Sequence, residues 1–76
     1  MNINLEYYKF FYYAAKCGSI TQAAEVLSVT QPAVSQAIRA LAKALGTELF
    51  VRNGKGVQLT PAGEVLYDYV KRGYEQ

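Results

Sequence analysis

The sequence predicts a mainly α-helical fold with one small β-hairpin. Three observations predict it. Apolar residues recur at helical spacing in four stretches. Each stretch is bounded by residue types that start or stop helices. Between the third and fourth stretches, two short β-prone runs are joined by Arg52-Asn53-Gly54-Lys55-Gly56.

The first helix is expected over residues 4–17. Leu5, Tyr8, Phe11, Tyr12 and Ala15 fall at helical spacing, Asn4 can cap the start, and Gly18 can end it in a left-handed conformation. Tyr7, Tyr8, Phe10, Phe11, Tyr12 and Tyr13 are nearly consecutive. One core face cannot hold all six rings, so some are exposed or meet another surface. Phe10 and Tyr13 are placed beside the last helix. The second helix is expected over residues 20–27. Ser19 and Gln22 have the capping-box spacing, and Ala23, Ala24 and Leu27 make its inner face.

The third helix, 31–44, is the most informative. Thr30 caps it, Pro32 fits a first turn whose N–H groups lack partners, and Gly46 stops it. Val34, Ile38, Leu41 and Leu45 form one stripe. Pro32, Gln36, Arg39 and Lys43 lie roughly opposite, flanked by Gln31 and Ser35. One face is aliphatic; the other carries amide, hydroxyl and cationic groups and no acid. The hairpin pairs 49–51 with 57–59, and Asn53-Gly54 is expected to turn by adopting positive φ. The last helix, 61–75, is capped by Thr60 and begins at Pro61. Leu66, Tyr69 and Val70 are expected inside. Tyr67, Val70 and Tyr74 make a second apolar line that wants another partner.

Bulk composition bounds the function. The 76 residues make one small domain, which buries only a modest share of its surface. Cys17 is the single cysteine and there is no histidine, so neither an internal disulfide nor a Cys/His zinc site can brace it. Oligomerisation remains. No cofactor or metal is expected. No run approaches the ~20 apolar residues of a membrane span, and the N-terminus lacks the pattern of a signal peptide. A cytoplasmic protein without a membrane partner is expected. The net charge is only +2. Residues 30–55 nevertheless hold Arg39, Lys43, Arg52 and Lys55 against Glu48 alone, a local balance of +3, while the rest of the chain stands at −1.

Helix, short helix, tight connection at Ser28-Val29-Thr30, cationic helix and basic hairpin is the winged helix-turn-helix order. In that motif the third helix enters the major groove of DNA. Gln can bond two groups on an adenine edge, Arg two acceptors on guanine, and Ser either kind of edge. Ala33, Ala37 and Ala40 are expected to keep the helix slim beside the groove. Arg52 and Lys55 on the hairpin can reach the backbone or the minor groove. A solvated polar face is the bland alternative for each feature alone; their order and spacing together are specific.

The stretch from Gly18 to Ile38, GSITQAAEVLSVTQPAVSQAI, resembles the LysR-type transcriptional regulators. So do LGTELFVR at 45–52 and LTPAGE at 59–64. The resemblance implies a winged helix-turn-helix over 1–59 and a linker helix over 60–76 that pairs with its counterpart in a homodimer. It implies DNA contacts from Thr30, Gln31, Pro32, Ser35, Gln36 and Arg39, with Arg52 on the wing; Lys43 and Lys55 join them from the charge pattern. Leu66, Tyr67, Val70 and Tyr74 are assigned to the dimer contact. The resemblance also implies a C-terminal domain that binds a small-molecule effector, which these residues do not include. Gln22 stands where the family commonly has Arg, and Thr30 where Ser is commoner.

The expected partner is a double-stranded DNA operator. A winged helix used for protein contact is the alternative, but the outward face of 31–43 lacks apolar anchors. An enzyme is not expected: there is no histidine, and Cys17 sits at a helix C-terminus, where the dipole disfavours a thiolate.

Overall fold

In the computed structural model, residues 4–74 are described. They form α1 (Leu5–Cys17), α2 (Ile20–Leu27), α3 (Gln31–Leu45), β1 (Phe50–Asn53), β2 (Gly56–Leu59) and α4 (Pro61–Tyr74). Residue 75, expected in the last helix, lies outside the described residues.

The helix ends follow from local hydrogen bonding. The first N–H groups of a helix lack internal partners, and a short side chain just ahead can accept from them. Asn4 accepts from Glu6 N–H at 2.9 Å, Ser19 from Gln22 N–H at 3.1 Å and Thr30 from Ala33 N–H at 3.3 Å. Thr60 accepts from Gly63 N–H at 3.0 Å and donates to the Glu48 carbonyl at 2.7 Å, which ties α4 to the chain entering the hairpin. Gly18 and Gly46 close α1 and α3 in the left-handed region, at φ 66° and 71°. Ser28 closes α2 at φ 58°, the one non-glycine with positive φ among the described residues.

Two apolar clusters form the core. Ala14, Ala23, Ala24, Val34 and Ile38 join α1, α2 and α3. The small residues on α2 let the helices approach closely. Phe11, Leu41 and Leu49 join α1 and α3 to the hairpin side, with Leu59, Leu66 and Tyr67 packed against them. Phe50 touches both clusters, and its ring lies 5.3 Å from that of Phe11.

The antiparallel hairpin pairs Phe50 with Leu59 and Asn53 with Gly56. It is fastened to the helical body by Val57 N–H, which donates to the Gly18 carbonyl at 3.1 Å. A Cβ on Gly56 would collide with that same carbonyl, so the close approach requires glycine. Gly63 plays the matching part on α4, where a side chain would strike the Leu49 carbonyl.

Several expectations are corrected. The hairpin turn does not use positive φ at Asn53 or Gly54. The Asn53 side chain closes it, accepting from Lys55 N–H at 2.9 Å and Gly56 N–H at 2.8 Å. The buried stripe of α3 is Val34, Ala37, Ile38 and Leu41. Ala37 therefore belongs to the core rather than the groove side, and Leu45, past the reach of the core, is exposed. Leu5 at the start of α1 is 80% exposed. Tyr69 is 74% exposed, and Tyr67 takes the inward place. Phe10 packs on the α1–α2–α3 cluster rather than beside α4; Tyr13 borders that cluster and also lies near Tyr74 of α4, and Tyr12 is the α1 ring stacked against α4.

Candidate nucleic-acid interface

Burying Val34, Ala37, Ile38 and Leu41 turns the opposite side of α3 to solvent. Gln31, Pro32, Gln36, Arg39 and Lys43 are exposed there, and Ser35 is half-buried at the edge. Thr30 is exposed at the helix start, its hydroxyl engaged in the cap. The face has no acid and no large apolar side chain.

The hairpin adds to this face through strand alternation. Residues directly opposite in an antiparallel pair share one side of the sheet, and residues two apart do likewise. Arg52 pairs with buried Val57 and follows Phe50 by two. Arg52 therefore lies on the body-facing side of the hairpin, overhanging its edge, while Val51 and Gln58 face outward. A cleft of about 220 Å³ separates the two elements, lined by Ser35 and Arg39 from α3 and by Arg52 from β1. A larger groove of about 700 Å³ continues past Arg39 and Lys43 to Thr47 and Glu48. Lys55 sits at the exposed tip of the turn.

The charges on this face are unspent. Among the described residues the ion pair is Asp68–Arg72 on α4, at 3.0 Å. Arg39, Lys43, Arg52 and Lys55 enter none. Four cations within one helix and the adjoining hairpin, with only Glu48 nearby, suit a polyanion.

Residues 5–64 match the family described as bacterial regulatory helix-turn-helix protein, lysR family. The chain belongs to this family. Its relatives with curated names are transcription regulators. The nitrogen assimilation regulatory protein nac of Klebsiella aerogenes is 41% identical over 69 residues, 91% of this chain and 23% of that protein. The transcriptional activator CmpR of Synechocystis is 41% identical over 92% of this chain and 23% of its own length. The chain thus spans about a quarter of these relatives. Among solved structures, the CbnR_DBD–DNA complex superposes with a TM-score of 0.86 at 32% identity, covering 99% of this chain and 84% of that one. Vibrio fischeri DarR in complex with DNA superposes with a TM-score of 0.86 at 37% identity, over all of this chain and 26% of that one. The fold is the lysR-family winged helix.

Every lysR-type contact position expected from the sequence, Thr30 to Arg52, is brought to one side of the molecule by α3 and the hairpin. The four residues assigned to a dimer contact all lie on α4 and also make contacts within the chain or are half-buried. Leu66 and Tyr67 pack on the Phe11–Leu41–Leu49 cluster. Tyr74 stacks on Tyr12, and Val70 is half-buried. Val65 and Tyr69, one turn apart, are the apolar residues of α4 most open to solvent. Sequence reasoning missed Gly56 and Gly63 as clearance positions. The signal available for both was a glycine inside a regular element, which marks close backbone approach.

Proposed function

We propose that this chain is the sequence-reading module of a cytoplasmic transcription regulator and binds a double-stranded DNA operator. Helix α3 lies in the major groove, its first turns foremost, with Gln31, Ser35, Gln36 and Arg39 toward base edges. Thr30 and Pro32 border the backbone. Lys43, Arg52 and Lys55 act on phosphates or the minor groove. The observation that carries this reading is the acid-free, unpaired face of α3 continued by Arg52 across one cleft.

A second copy docks through α4. Two half-sites then share the affinity, which a lone module of this size would supply only weakly. The structure supports Val65 and Tyr69 as the open apolar part of that contact, with Val70 at its edge; Leu66, Tyr67 and Tyr74 also serve their own chain. A small-molecule effector acts through a further domain, as the length of the relatives suggests. DNA binding by this module requires no metal or cofactor.

The test is selection of bound sequences from a random duplex pool at fixed, moderate salt. The expected result is an interrupted palindrome whose half-sites lie about one helical turn apart. Binding that falls with salt yet enriches no sequence would sink the specific-readout reading and leave phosphate contact alone.

A further inference from the structure

The aromatic run of α1 is not used by the proposed interface, yet it is organised. Tyr12 is 3% exposed. Its ring stacks on Tyr67 at 5.6 Å and 15° and on Tyr74 at 4.9 Å and 28°. Tyr67 and Tyr74 are seven residues apart on α4, which separates them by about 10.5 Å along the helix. Tyr12 is thus stacked against α4 at two points about two helical turns apart. Tyr13 meets Tyr12 edge-on at 5.2 Å. Lys16 donates to the Tyr12 hydroxyl at 3.5 Å and lies over its ring, and Lys71 lies over the Tyr67 ring.

A buried ring that stacks on two ledges of α4 two turns apart resists sliding, rocking and rotation of α4 on α1. We infer that Tyr12 is a positioning residue that sets the angle between α4 and the body carrying α3. Resting on the proposed docking through α4, that angle fixes the distance between the two recognition helices and hence the half-site spacing. The lever is adequate: the molecule is 27 Å along its longest axis. A rotation of about 10° over that length moves the far end by more than the ~3.4 Å of one base step.

The test compares the natural chain with Tyr12→Leu, Tyr12→Phe and Tyr74→Leu, after circular dichroism shows each folded. Tyr74→Leu alters a residue 45% exposed, removes the stacked ring while keeping an apolar side chain for docking, and keeps the test valid if Tyr12→Leu does not fold. Two readouts are taken: affinity for an isolated half-site, and the distribution of spacings between half-sites in selected duplexes. The natural chain and Tyr12→Phe should select one dominant spacing. Tyr12→Leu and Tyr74→Leu should spread over spacings differing by at least one base pair, with isolated half-site affinity unchanged within about twofold. The same single spacing in all four would overturn the role of Tyr12 while leaving docking through α4 intact. Bound half-sites with no paired enrichment by the natural chain would overturn docking and this inference together.

Discussion

The two sides of this molecule spend their side chains in opposite ways. On the α3–hairpin side, the cations Arg39, Lys43, Arg52 and Lys55 are exposed and enter no ion pair among the described residues. On the α1–α4 side, aromatic rings stack on each other and lie under lysine ammonium groups. The first surface is left open to a ligand. The second is a joint within the molecule. Both are rich in groups that act at interfaces, so residue type alone does not tell them apart. Whether a group already has a partner does.

Substitutions can break that division. The largest effect is expected from Tyr12→Ala, which removes a buried ring stacked on two others. It should cost about 3–5 kcal/mol of stability. Urea unfolding measures this, and the folded fraction should still bind an isolated half-site with natural affinity. A large loss of half-site affinity per folded molecule would erase the distinction between joint and interface.

Arg39→Ala should do the reverse. Arg39 is exposed and enters no ion pair among the described residues, so stability should hold within about 0.5 kcal/mol. Discrimination at one base position should relax by about 1–3 kcal/mol. Competition with single-base operator variants reads this; unchanged preference at every position would remove Arg39 from base readout.

Lys55→Ala probes the outer limit of the same surface. If Lys55 meets phosphate, it reads no sequence, so all duplexes should weaken nearly equally and the salt slope should fall by about 1. A sequence-dependent loss would place Lys55 against base edges instead.

The smallest effect lies on the joint and is read at alkaline pH. Burial, and then the nearby Tyr13 phenol, push the Tyr74 hydroxyl above the ordinary tyrosine range. The neutral ring is the form the folded state favours. Its contribution is therefore complete below about pH 10, the unfolded value, and is lost as pH rises through the higher folded value. Between neutral and strongly alkaline pH, Tyr74→Phe should lose less stability than the natural chain. Equal losses would show that the stack is indifferent to this proton.

Much of the fold was legible before any coordinates. Asn4, Ser19, Thr30 and Thr60 are capping residues whose hydrogen bonds reach two or three positions along the chain, so sequence spacing suffices to find them. The polar face of α3 was legible for a similar reason, since about 100° per residue sets which side chains share a side. Failures came where that angle is an incomplete guide. Leu45 and Leu5 have the right phase but lie beyond the ends of what packs against them. Ala37 looked like a spacer for DNA because small size suits a groove and a crowded core equally. Asn53-Gly54 was assigned a turn by backbone propensity, whereas a side-chain acceptor three residues from its last donor supplied another solution.

The sequence alone determined the helices, their stops, the hairpin and the concentration of positive charge. All of these are local properties, governed by neighbours within a few residues. Tertiary structure decided the rest. It turned Tyr67 inward and Tyr69 outward, stacked Tyr12 against two rings of another helix, and brought Gly56 against the Gly18 carbonyl so that Arg52 lines the cleft beside Arg39. Periodicity gives the direction of a side chain about its own helix or strand axis. What stands in that direction depends on contacts between residues far apart in the chain, and only the packed molecule specifies those.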